Sequence, residues 1–88
     1  MKTSKQTDET RALRKQFWKN VVFLMDKVGL DEDDFSFRCD YTLNGFQSAR
    51  VNNCLSLDMA LVICKQLAEP LDDMFFKDYK EEWELAEC

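Results

Sequence analysis

Apolar residues recur along most of this chain at helical spacing, and the pattern divides it into short amphipathic segments. From Arg11 onward, Phe17, Val21, Leu24 and Val28 follow at steps of four, three and four, which places them on one helix face. Gly29 supplies the stop, and Lys27 in the last turn suits the negative end of the helix dipole. Asp31 predicts an N-cap for a second helix, and the run Asp31, Glu32, Asp33 and Asp34 sets carboxylates at its positive end. Phe35, Ser36 and Cys39 should face inward, with the helix ending near Asp40. Thr42 predicts the cap of a third helix over 43–50, with Phe46 and Ala49 inward and Tyr41 packed just ahead. Gly45 in its middle costs roughly 1 kcal/mol relative to Ala. Ser56 caps a fourth helix whose stripe is Leu57, Ala60, Leu61, Cys64 and Leu67. Pro70 ends it and opens a fifth, Leu71 to Phe76.

The ends lack this order. Residues 1–10 are polar and aperiodic, so they read as a flexible basic arm, or simply a solubilising tail. Residues 77–88 are acidic and read as a tail or a further helical turn. The organised part is 11–76, one domain in an 88-residue chain. Two glycines and one proline favour an all-α fold over a turn-rich β fold. No apolar run reaches the roughly 18 residues of a membrane span, and no apolar stretch follows Met1-Lys2-Thr3-Ser4-Lys5, so a cytoplasmic location is expected.

Charge changes the picture of partners. The net charge is −5, yet residues 1–30 hold seven cations to three acids, and residues 31–88 five to fourteen. The front suits phosphate and the back repels it. The four cysteines (Cys39, Cys54, Cys64 and Cys88) show no tight pairing and there is no histidine, so neither a metal site nor a cofactor is expected. Cys39 and Cys64 read as small core residues. With no phosphate loop and no nucleophile beside a base, the chain is not expected to be an enzyme.

Several short helices with a tight turn between the second and third form a helix-turn-helix pattern. Residues 17–76 resemble the lambda-repressor/Cro-type (XRE-like) family nearly end to end. The correspondence runs through Gly29-Leu30, Asp31 to Ser36, the turn Asp40-Tyr41-Thr42, Phe46 and Ala49. It continues through Ser56-Leu57-Asp58 and Leu71-Asp72-Asp73-Met74-Phe75. Small Ser36 suits the close approach of the two helices. Asp40 stands where the family usually has a glycine in left-handed conformation, a region Asp tolerates better than most residues. Glu32 stands where the family often has Gln, and the loop before Ser56 is about one residue short.

The resemblance implies a five-helix domain that binds double-stranded DNA with its third helix in the major groove. By position, Leu43, Asn44, Gln47 and Ser48 would meet base edges, with Thr42, Arg50, Arg38 and Lys19 at phosphates. Lys15 and the arm residues Lys2, Lys5, Arg11 and Arg14 add cations nearby. Against this, a Glu32 carboxylate would meet phosphate unfavourably, and first-helix positions often basic in the family are Asn20, Val22 and Met25. Trp18, Val22 and Met25 form a second apolar stripe, and Phe23, Phe37, Phe76 and Trp83 also look exposed. These aromatics predict a homodimer or a protein partner, unless the C-terminal tail folds over Trp18. The alternative function is an acidic protein-interaction module, an antirepressor, inhibitor or DNA mimic on the same scaffold. Carboxylates crowding Asn44 and Gln47 would favour it; Lys15, Lys19, Arg38 and Arg50 framing them would favour DNA.

Overall fold

A computed structural model describes residues 4–87, which form six helices with no strand among the described residues. They are α1 (Ser4–Val28), α2 (Glu32–Arg38), α3 (Leu43–Val51), α4 (Leu57–Leu67), α5 (Leu71–Phe76) and α6 (Tyr79–Glu87). The expected all-α class holds, but the acidic tail is a full sixth helix. At the other end, α1 begins at Ser4, so the expected arm over 1–10 is helical from that residue on. Its Lys, Gln and Glu are good helix formers without any apolar period, and period was the signal the sequence reading used. Lys2, the side chain of Lys5 and Cys88 lie outside the described residues.

The caps are as the local sequence dictates. The side chains of Asp31, Thr42 and Ser56 accept hydrogen bonds from the backbone N–H groups of Asp34, Gly45 and Met59 at 2.9, 3.0 and 3.1 Å. Four helix ends share one closure, in which a left-handed residue turns the chain and two backbone bonds close the last turn. After α1, Gly29 N–H reaches Asp26 and Leu30 N–H reaches Met25. The same pair of bonds closes α2 at Asp40, α3 at Asn53 and α4 at Ala68. The φ values are 78°, 65°, 56° and 57°, so glycine, aspartate, asparagine and alanine perform one task.

Alanine is the misfit in that series. Its Cβ meets the steric penalty of the left-handed region without a polar side chain to compensate. Ala68→Gly should therefore stabilise the domain by about 1 kcal/mol and raise Tm by about 4–8 °C. Thermal unfolding followed by circular dichroism reads this directly, and an unchanged or lower Tm contradicts it.

The core forms where α1 crosses the other helices. Phe17 and Val21 are fully buried, as their spacing requires, whereas Val28, in the last turn of α1, is exposed. Trp18 and Met25 depart from expectation: each is only 4% exposed, so they belong to the core and not to an outward stripe. Phe46 of α3 takes the Trp18 ring edge-on at 5.3 Å and Phe35 of α2 at 5.7 Å, which joins three helices through one side chain. What covers Trp18 is thus α3, together with the loop after it: the indole N–H donates to the Cys54 carbonyl at 3.1 Å. Val22 remains exposed.

In α4 the buried residues are Met59, Ala60, Ile63 and Cys64, while Leu57 and Leu61 are 67% and 48% exposed. The expected stripe is therefore rotated. Every residue from Met59 to Cys64 is apolar, so periodicity alone leaves the inward face undetermined, and packing against α1 and α5 decides it.

Asn20 is fully buried among these apolar groups. Its amide donates to the carbonyls of Met74 and Lys77 at 2.8 and 2.7 Å. Its oxygen accepts from Tyr79 N–H at 3.0 Å and from the Gln16 amide at 3.1 Å. One side chain of α1 thereby fastens the end of α5 and the start of α6.

Candidate nucleic-acid interface

α2 and α3 are joined by four residues, Cys39 to Thr42. Ser36, buried at the turn, gives its carbonyl to Tyr41 N–H at 2.9 Å, and Phe35 packs on Phe46. α3 is further fixed at its far end. Arg14 Nε donates to the Asn53 carbonyl at 2.8 Å, and the Asn53 amide donates to the Arg11 carbonyl at 3.0 Å. Two residues expected to belong to a DNA-tracking set are thus in part engaged in holding the α3–α4 loop.

The early face of α3 is open to solvent. Asn44 and Ser48 are exposed, Leu43 is half-buried, and Thr42 is exposed while its hydroxyl caps the helix. Gly45 has a local reason: a Cβ there would stand 3.0 Å from the Thr42 hydroxyl. Ser48 accepts a hydrogen bond from the Asn52 amide at 3.2 Å. Arg38 is exposed at the end of α2.

The remaining candidates are already occupied by carboxylates. Glu32 accepts from the Gln47 amide at 3.0 Å and from Arg50 Nη2 at 3.2 Å, and Arg50 Nε closes a second bond to its other oxygen. Lys19 is ion-paired to Asp78 at 2.8 Å. Lys15, Lys19 and Arg50 line a groove between α1 and α6. Of the eight candidates, Thr42, Asn44, Ser48 and Arg38 are exposed and Leu43 is half-buried, while Gln47, Arg50 and Lys19 are paired within the chain, which sequence reasoning did not foresee. It also took Asn20 only as a missing cation and not as a buried group, although a polar residue between Phe17, Val21 and Leu24 on one face is the signal that could have shown it.

Electrostatics follows from these pairs. Burial pushes the Glu32 carboxyl up, but the hydrogen bonds from Arg50 and Gln47 outweigh it and hold the group below its ordinary value. Asp78 is lowered chiefly by the hydrogen bond from Lys19, whose ammonium is raised by the same contact. A carboxyl lowered in the folded state adds stability above its unfolded pKa, and that stability disappears as pH falls through the folded value. The domain should therefore need less urea to unfold at pH 3 than at pH 7. Asp78→Asn should reduce the difference. Equal midpoints at the two pH values would show that these pairs contribute nothing.

Cys39 and Cys64 are buried, and burial raises both thiols to about 11, which makes them core groups and poor thiolate ligands. No group of three or more Cys, Asp or Glu side chains able to hold a metal ion occurs among the described residues. Among the described residues no helix is long and apolar enough to cross a membrane. No protein family, curated protein or solved structure matches the chain significantly.

Proposed function

We propose that this chain is a DNA-binding regulator with a lambda-repressor/Cro-type helix-turn-helix domain, in which α1 to α5 form the domain and α6 is an addition. The observation that carries this reading is the pair α2 and α3. A tight turn with left-handed Asp40 joins them, and α3 presents Asn44 and Ser48 to solvent directly after a Thr42 cap. An exposed helix start with short polar side chains fits the width of a major groove, where Asn bonds adenine with two hydrogen bonds. Two copies present two such helices to a two-fold site, so the active form is a homodimer.

Genomic-fragment selection at low salt tests this. It should recover a roughly two-fold symmetric sequence whose affinity falls steeply with salt. Asn44→Ala should cost about 1 kcal/mol at that sequence and relax the preference at one base pair of each half-site.

A second reading, an acidic interaction module without DNA affinity, is favoured by the pairing of Arg50 and Gln47 with Glu32 and of Lys19 with Asp78. Cations neutralised inside the chain release no counterions from DNA. Failure to enrich any sequence at low salt selects that reading.

A further inference from the structure

Five of the twelve Lys and Arg residues of this acidic chain converge on one groove, while only two of its seventeen acids do. The groove runs between α1 and α6, reaches the end of α3, is open to solvent, and has a volume of about 820 Å³. Lys15, Lys19, Lys27, Arg50 and Lys80 stand around it, and Asp26 and Glu84 are the two acids. Its walls are Trp18, Val22, Phe23 and Trp83. The Lys27 ammonium lies 4.1 Å from the centre of the Trp83 ring and 5.4 Å from that of Phe23, and the two rings meet at 6.4 Å.

We propose that this groove binds a small, flat aromatic anion, such as an aromatic carboxylate, sulfonate or phosphate ester. Three observations meet here. The volume is that of sites for drug-sized molecules and far exceeds what an inorganic ion fills. Trp83 is 45% exposed, so part of its indole is open to an aromatic ligand, and a bare phosphate would leave it wet. Lys19 and Arg50 already have Asp78 and Glu32 as partners, so the charge that a neutral apolar ligand would not answer is that of Lys15, Lys27 and Lys80. Arg50 belongs both to this rim and to the Glu32 pair, so an anion that reaches it competes with Glu32. The proposal stands whether or not the protein binds DNA.

The probe is 1-anilinonaphthalene-8-sulfonate, compared with its uncharged analogue N-phenyl-1-naphthylamine, on the full chain at pH 7. Fluorescence titration should give one sulfonate site per chain. Lys15→Gln combined with Lys80→Gln should weaken the sulfonate at least 5-fold and leave the neutral probe unchanged. Trp83→Ala should weaken both probes, with circular dichroism confirming that the helices persist. Lys65→Gln, on α4 outside the groove, should alter neither. The proposal is overturned if the sulfonate is insensitive to the Lys15/Lys80 change, if Lys65→Gln weakens it equally, or if no single site forms.

Discussion

Asn20→Ala should lower the stability of this domain by about 3 kcal/mol, because it leaves one buried and two part-buried backbone groups without this partner. Met74 and Lys77 each lose a donor and Tyr79 N–H loses its acceptor, all of them at the joint between α5 and α6. A domain of this size has about 5–15 kcal/mol in total, so the loss is a large share of it and corresponds to a Tm drop of about 10–20 °C. The damage should also be local first. Other contacts that hold α6 include the Lys19–Asp78 ion pair, the Tyr79 hydroxyl donating to Glu69 at 2.9 Å, and the contact of Trp83 with Phe23 and Lys27. Two of these three lie at the surface, so backbone amides of α6 should lose hydrogen-exchange protection before those of α1.

Asn20→Asp gives the companion measurement. It keeps the shape but turns a carboxylate oxygen toward two carbonyl oxygens, so burial and repulsion would raise its folded pKa. A raised carboxyl stabilises the fold below its unfolded value and loses that stability as pH rises, opposite in sign to Glu32 and Asp78. The variant should thus recover part of its deficit in mild acid, where the parent protein weakens. Equilibrium unfolding that places Asn20→Ala within about 0.5 kcal/mol of the parent would remove Asn20 from its fastening role.

The elements that sequence resolves well are those set by neighbours along the chain. Asp31, Thr42 and Ser56 cap their helices because a short side chain reaches a backbone N–H three residues on, which no distant contact has to arrange. Asp40 takes the left-handed turn for a similarly local reason. Faces are legible only where polar residues break the apolar run. In α1, Phe17, Trp18, Val21, Val22 and Met25 leave the width of the buried face open. Phe46, nearly thirty residues away, and the Cys54 carbonyl settle it by covering Trp18. The same ambiguity rotated α4, where Leu57 and Leu61 lost to Met59 and Ile63.

The candidate site divides along the same line. That Asn44 and Ser48 are exposed follows from a helix with Phe46 inward. That Gln47 and Arg50 are held does not, since their partner Glu32 lies fifteen and eighteen residues earlier and meets them only because α2 crosses α3. Asn20 shows the limit most sharply: its backbone partners on α5 and α6 are 54 to 59 residues away. Local chemistry marks it as a polar residue on an apolar face and is silent on what it bonds.

Glu32→Gln should raise affinity for duplex DNA about 10–30-fold at low salt, the equivalent of about 1.4–2 kcal/mol. Two terms act together. In the proposed complex the carboxylate at the start of α2 would lie toward the phosphate backbone, and its removal would abolish a like-charge repulsion. The same change weakens the hold on Arg50 and Gln47, returning one cation and one amide to the surface that the proposed function would set against DNA. A freed Arg50 leaves a signature that affinity alone lacks, because each additional phosphate contact steepens the slope of log K against log salt by about 0.9. Glu32→Gln combined with Arg50→Gln should therefore lose the extra slope while keeping the gain from the absent carboxylate. The fold tolerates the exchange, since a Gln at this position keeps one acceptor for Arg50 and the helix cap belongs to Asp31. Tighter binding with a steeper salt slope makes Glu32 an internal competitor for phosphate. No detectable binding by the variant at low salt means that the open face of α3 serves something other than a groove, and the acidic interaction module becomes the function of this scaffold.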